Sequence, residues 1–137
     1  MPGLVLDQSM MLVRVAVGRS DIEGMGLFAT VPIPAGTPVW RWVSGFDRVL
    51  EESEMTAWPE AARRHIAHYG YLDPASRRWV LGGDLSIFMN HAAHPNTGAP
   101  GTVGAAPETV ALRDIAAGEE LTCDYHQFDA SGKPVGC

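Results

Sequence analysis

The chain has 137 residues, 46% of them hydrophobic, with 10 Lys+Arg against 16 Asp+Glu for a formal net charge of −6. That length has room for one domain, the apolar fraction suffices for an ordinary core, and the acidic balance excludes the basic footprint with which proteins clamp nucleic acid phosphates. Two cysteines, Cys123 and Cys137, are too few for a disulfide framework or a four-cysteine zinc site, no apolar run approaches the ~20 residues of a membrane span, and the start MPGLVLDQSMMLVRVAVG lacks the basic region of a signal peptide, so a cytoplasmic location is expected.

In chain order, MLVRVAV (11–17) alternates around Arg14 and predicts a strand ending at the Gly18-Arg19-Ser20-Asp21 turn. LFAT (27–30) predicts a short second strand, and in VPIPAG (31–36) two prolines and Gly36 force a turn. TPVWRWV (37–43) is rich in β-branched and aromatic residues and predicts a third strand. Ser53 caps a first helical turn, Pro59 fits the first position of a helix, and EAARRHIAHY (60–69) continues it until Gly70. RRWVL (77–81) and LSIFM (85–89) flank Gly82-Gly83 and predict short strands. HPNTGAPGTVGAAPE (94–108) is dense in Gly and Pro and predicts a loop with room for a hairpin. TVALRDI (109–115) and EELTCDY (119–125) predict strands split by the AAG turn, and the polar tail from His126 predicts loose order. Without repeat or linker, the elements sum to a mainly-β domain of short strands with one helical insertion.

Three segments carry residues suited to chemistry. In IEGMGLFAT (22–30), followed by IPAG (33–36), Gly24 and Gly26 flank Met25 at a strand entry, and glycines let a backbone approach a ligand with no side chain in the way. In FMNHAAHPNT (88–97), the Asn90 amide and a neutral His91 imidazole each offer donor and acceptor, which suits a zwitterionic ligand. In VALRDIAAGEELTCDYH (110–126), the Tyr125 phenol stays neutral near pH 7 and can orient an amine and an electropositive methyl without adding charge. Each segment alone has a plainer reading, as a turn, a loop satisfying its own backbone, or a core tyrosine.

Together, in this order and spacing over about residues 13–126, the three segments resemble the SET-domain family of protein methyltransferases. The resemblance implies a SET-domain β-clip fold of short strands in small sheets with one helical insertion and a C-terminal pseudoknot, as a single domain over 1–137 with a short tail at 127–137. It implies S-adenosylmethionine as cofactor and a protein or peptide substrate, basic and lysine-containing, as partner. By that resemblance Gly24, Met25 and Gly26 cradle the methionine part of the cofactor. Asn90 and His91 contact its amino-acid and adenine ends largely through backbone groups, and Tyr125 serves both cofactor and catalysis.

Three positions line the implied substrate channel. Val43 stands where the family usually has a second tyrosine, neighbouring Trp42 is available as a wall, and Cys123 stands where the family has Phe or Tyr, leaving room for higher methylation states. Ala93 replaces the family's motif cysteine and no Cys-x-Cys follows Tyr125, so the zinc-binding closing module is absent and no metal is expected. Small members of the family can dimerise, which extends to a homodimer here, and the Ala- and Arg-rich composition points to a bacterial source. Val43 and Cys123 motivate a rival, a catalytically weak or inactive SET fold that binds cofactor or peptide. A metal reading on His91-x-x-His94 with Asp124-x-His126 has competent ligands, yet its first pair lies in a proline-bearing loop with no helix to face them together.

Overall fold

In a computed structural model of the chain the described residues are 11–43, 45–99, 108–127 and 129–131. They form ten short strands and two α-helices, arranged in three small sheets of mainly antiparallel strands.

The first sheet has the order β1-β2-β10-β7. β1 (Val15–Arg19) pairs antiparallel with β2 (Met25–Ala29), and the register runs from Val15 opposite Ala29 to Arg19 opposite Met25. The strand expected over 11–17 is therefore displaced. Gly18 joins the ladder opposite Gly26, beside the Phe28 ring, and Met11 instead bridges Trp40. β10 (Glu120–Cys123) pairs antiparallel with β2 and parallel with β7 (Asn90–His91), with Thr122 beside Asn90 and Cys123 beside His91. Leu27 and Leu121 face each other in this ladder at 0% exposure, and burying each is worth about 1.5–3 kcal/mol.

A second sheet sets β3 (Pro38–Arg41) against β9 (Glu108–Ala111), with β8 (Thr97–Gly98) antiparallel on its other side. The Gly- and Pro-rich segment thus contains a strand, while the rest of the expected hairpin falls outside the described residues. Val39, Ile33, Ile115 and Ala111 join Leu27 and Leu121 in one core cluster, which Cys123 and Phe88 flank.

The third sheet, β4-β6-β5 (Arg48–Leu50, Trp79–Leu81, Tyr71–Leu72), belongs to the insertion with α1 (Glu52–Met55) and α2 (Glu60–Tyr69). Glu51, not Ser53, caps α1 through a reciprocal capping box with Glu54, and Pro59 sits one position before α2, as its cap. Gly70 ends α2 as expected, and any Cβ there would lie 2.8 Å from the carbonyl oxygens of Ile66 and Val80. LSIFM is not a strand: Leu85–Phe88 form a 3-10 helix, because the Asp84 side chain accepts the Ser86 N–H at 3.0 Å and offers the backbone a local partner in place of a ladder. Among the described residues no helix is long and apolar enough to cross a membrane.

Candidate active site

The glycine turn is built by two glycines with different duties. Gly24 has φ +48°, a left-handed conformation that side chains disfavour, and open space where a Cβ would stand. Gly26 is needed for clearance, since a Cβ there would collide with the Glu120 carboxylate. That carboxylate accepts the Ser20 hydroxyl at 2.8 and 2.9 Å and the Asn90 amide at 2.9 Å. The same Asn90 Nδ2 also reaches the carbonyl oxygens of Glu23 and Met25, each at 3.1 Å. Asn90 therefore joins the turn, β7 and β10 at one corner.

Tyr125 follows directly, in a 3-10 turn (Tyr125–Gln127) beyond the end of β10. Its N–H donates to His91 Nδ1 at 3.1 Å, its O–H donates to the Met89 carbonyl at 2.7 Å, and its ring lies 5.4 Å from the His91 ring. Burial pushes the Tyr125 phenol well above its ordinary range, reinforced by Cys123, Glu23 and Asp129, so it stays protonated as a neutral donor. Glu23 belongs to the glycine turn, so its influence on the phenol again brings the first and last motif segments together. Cys123 is half-buried, with Sγ 3.9 Å from the Asn90 carbonyl oxygen.

Behind this corner lies a buried polar clamp. Asn96 Nδ2 donates to the Glu120 carbonyl at 2.8 Å, Asn96 Oδ1 accepts the Thr122 N–H at 2.8 Å, and Thr97 Oγ1 donates to the Thr122 carbonyl at 2.7 Å. Asn96 belongs to the second motif without an assigned role at the sequence level; here it fixes the register of β10, and with it the position of Tyr125.

The residues expected to line the channel come from two places. Cys123 stands beside Asn90 and Tyr125, whereas Trp42 and Val43 follow β3 in a turn organised by Asp47. Asp47 is 2% exposed and its carboxylate collects the N–H groups of Val43 and Gly83, each at 2.9 Å, which leaves Val43 42% exposed.

A phenol that sequence reasoning passed over is Tyr71, in Tyr69-Gly70-Tyr71 after the helix stop. Burial raises it to about 12, with Asp73, Asp47 and Asp129 adding to the shift. Asp129 connects this side to Tyr125: its N–H donates to the Tyr125 carbonyl at 2.8 Å, its Oδ1 accepts the Leu72 N–H at 3.0 Å, and the next residue, Ala130, donates to the Leu72 carbonyl at 2.8 Å. The segment after Tyr125 thus folds back onto β5 rather than trailing loosely; residues 132–137 of the tail, including Cys137, fall outside the described residues. The aspartate-flanked phenol was the available signal for Tyr71. Nothing in local spacing marks Asp129. A separate open groove of about 270 Å³, between Leu12–Arg14 and Val31–Pro34, is lined by none of Gly24, Asn90, His91 or Tyr125.

The SET domain family model matches residues 24–126. The chain is 28% identical over 130 residues to the histone-lysine N-methyltransferase ATX2 of Arabidopsis thaliana, covering 84% of this chain and 11% of that protein. Among solved structures it is similar to Chaetomium thermophilum Polycomb Repressive Complex 2 bound to GSK126, at 26% identity and TM-score 0.66, covering 87% of this chain and 16% of that one. It is equally similar to ctPRC2 in an autoinhibited conformation bound to S-adenosylmethionine, at 25% identity and TM-score 0.66, with the same coverage of 87% and 16%. The chain spans 11% and 2% of the lengths of the two curated relatives it matches.

Proposed function

The chain belongs to the SET-domain family, and from that premise we propose that it is an S-adenosylmethionine-dependent methyltransferase whose acceptor is a lysine side chain of a basic protein or peptide. The observation that carries this reading is the meeting of three segments distant in sequence, the Gly24–Gly26 turn, Asn90-His91 and Tyr125, at one end of the β2-β10-β7 ladder. The naming of ATX2 as a histone-lysine methyltransferase supports lysine as acceptor, and the net charge of −6 supports a basic partner.

The residues at the Asn90 corner fit the cofactor. The carbonyl oxygens of Glu23 and Met25 and the Glu120 carboxylate gather acceptors around one amide, an environment that favours an ammonium or sulfonium over an anion. Gly24 adds open space beside them. Gly24, Met25, Gly26, Asn90 and His91 would hold the cofactor, which when bound supplies an electrophilic methyl on a positively charged sulfur.

Methyl transfer to an amine is an in-line displacement, so the protein's task is alignment, exclusion of water and admission of an uncharged amine. Tyr125, anchored through its N–H to His91 and through its O–H to Met89, holds a neutral phenol oxygen in a fixed place to orient that amine. We assign to Tyr71, a second half-buried phenol, the role the resemblance expects at Val43, and both phenols feel the Asp129 carboxylate. Asp47, Asp73 and Asp129 attract a lysine ammonium, and passage into a desolvated channel then favours loss of its proton.

The test is incubation of the purified chain with a labelled methyl donor and a panel of basic peptides. Wild type should transfer label to lysine, and Tyr125→Phe should lower the rate roughly 10²-fold while cofactor binding persists. Labelling indifferent to Tyr125→Phe would contradict the assigned role. Cofactor binding with no transfer to any lysine peptide would favour the binding-only alternative.

A further inference from the structure

His91, Asp124 and His126 each present one potential ligand atom, all within 4.8 Å of one another. Two of them flank Tyr125 in a single turn, which Asp124 Oδ1 closes by accepting the His126 N–H at 2.9 Å. The third stands on β7, and the parallel pairing of β7 with β10 brings His91 Nδ1 to 3.6 Å from Asp124 Oδ1. The two imidazole rings meet edge to face at 5.1 Å. Bonds of ~2.1 Å at a tetrahedral angle leave neighbouring ligand atoms roughly 3.4 Å apart, so the His91–Asp124 pair is already near coordinating distance. The His91 and Asp124 side chains are largely shielded, at 10% and 23% exposure, whereas His126 is exposed and can adjust from the solvent side.

From this geometry we propose that His91, Asp124 and His126 form a binding site for a divalent first-row transition ion of the Zn²⁺ type, with His91 coordinating through Nδ1. Two imidazoles and one carboxylate match zinc or cobalt and not the all-oxygen sets that calcium and magnesium require. The histidine that the sequence pairs with His91, His94, is not a member of the group; the turn around Tyr125 supplies His126 in its place. The site also has a built-in competitor. His91 Nδ1 accepts the Tyr125 N–H at 3.1 Å, and a lone pair given to an ion is withdrawn from that bond. Ion binding and the present seating of the Tyr125 backbone therefore exclude each other. The site shares His91 with the proposed cofactor corner, and the ion titration below reads metal binding alone, so its failure is distinguishable from failure of the methyl-transfer reading.

The experiment is a titration of the chelator-stripped full chain with Co²⁺, followed by visible absorption, with Zn²⁺ as displacing ion. One equivalent should bind with ligand-field bands and no sulfur-to-cobalt charge transfer. His126→Ala and Asp124→Asn should each weaken binding at least roughly tenfold, the lower end of what loss of even an outer-shell partner costs a metal site. His94→Ala should bind as wild type, and Zn²⁺ should shift the Tyr125 amide resonance. Absence of binding, undiminished binding in His126→Ala, loss in His94→Ala, or a sulfur-to-cobalt band placing the ion on a thiol would each overturn the assignment. His126 is exposed, so the His126→Ala variant should unfold at the wild-type temperature.

Discussion

The sheet that carries Asn90 and His91, with Tyr125 just beyond its β10, and the insertion between Arg48 and Leu81 follow different plans. In the sheet, the local hairpin of β1 and β2 is closed by β10, which comes from far along the chain to set Leu121 against Leu27, and nine buried residues from Met11 to Leu121 share one core. In the insertion, all three strands lie within residues 48–81, and the buried cluster consists of Leu50, Met55 and Ile66, with Trp58, Trp79 and Leu81 packed beside it. The candidate site therefore lies on the part with the larger shared core, while the insertion, with its smaller cluster, can loosen by itself.

The largest expected effect tests the first half of this contrast. Leu27→Ala removes a fully buried side chain at the β2–β10 contact and should cost about 2–5 kcal/mol in denaturant unfolding. A loss below about 1 kcal/mol would mean that the ladder is not the centre of stability. Next, Asn96→Ala strips the acceptor from the buried Thr122 N–H and the donor from the Glu120 carbonyl, at about 1–3 kcal/mol for each group left unsatisfied. Methyl transfer should fall with it, because Tyr125 follows the strand that Asn96 holds. Ile66→Ala, in the smaller cluster, should cost about 2 kcal/mol, and amide exchange should rise in α2, β5 and β6 but not in β2 and β10. Equal acceleration in both regions would break the comparison.

The smallest effect is electrostatic and lies in the turn leading into β10. The Arg113 guanidinium, the Ala116 N–H and the Asn96 amide hold the Glu119 carboxyl at about 2, below its ordinary 4.5. A carboxyl depressed by folding stabilises above its unfolded value and loses that contribution as pH falls through the folded value. Stability should therefore decline between about pH 4.5 and 2. Glu119→Gln should flatten that slope in acid unfolding curves, modestly, because Arg113 is half exposed.

The parts legible in the sequence were those whose cause is local or whose residues form a compact motif. Gly70 as helix stop, the prolines and Gly36 of the turn, and the three segments whose Gly24, Asn90, His91 and Tyr125 meet at one corner all belong here. What escaped has a distant cause. Gly26 is needed for the carboxylate of Glu120, which no window around the glycine contains. Gly18 reads as a turn residue until its pairing with Gly26 across the β1–β2 ladder is seen. The backbone at Val43 is held by a single buried carboxylate, Asp47, which the spacing of Val43 from Gly45 does not reveal. Leu85–Phe88 is apolar enough for a strand, and only the side chain of Asp84 tips it into a 3-10 turn.

The position of β10 has a consequence for synthesis. It fills the middle of its sheet, between β2 and β7, yet it is the last of the described strands to be made. A nascent chain that has just finished β7 exposes two edges with their common partner still unmade, and neither can close without it. During that interval the protein resembles an aggregation-prone sheet fragment, and its yield in a cell should respond to translation speed and to chaperone supply more than that of a domain built from successive hairpins.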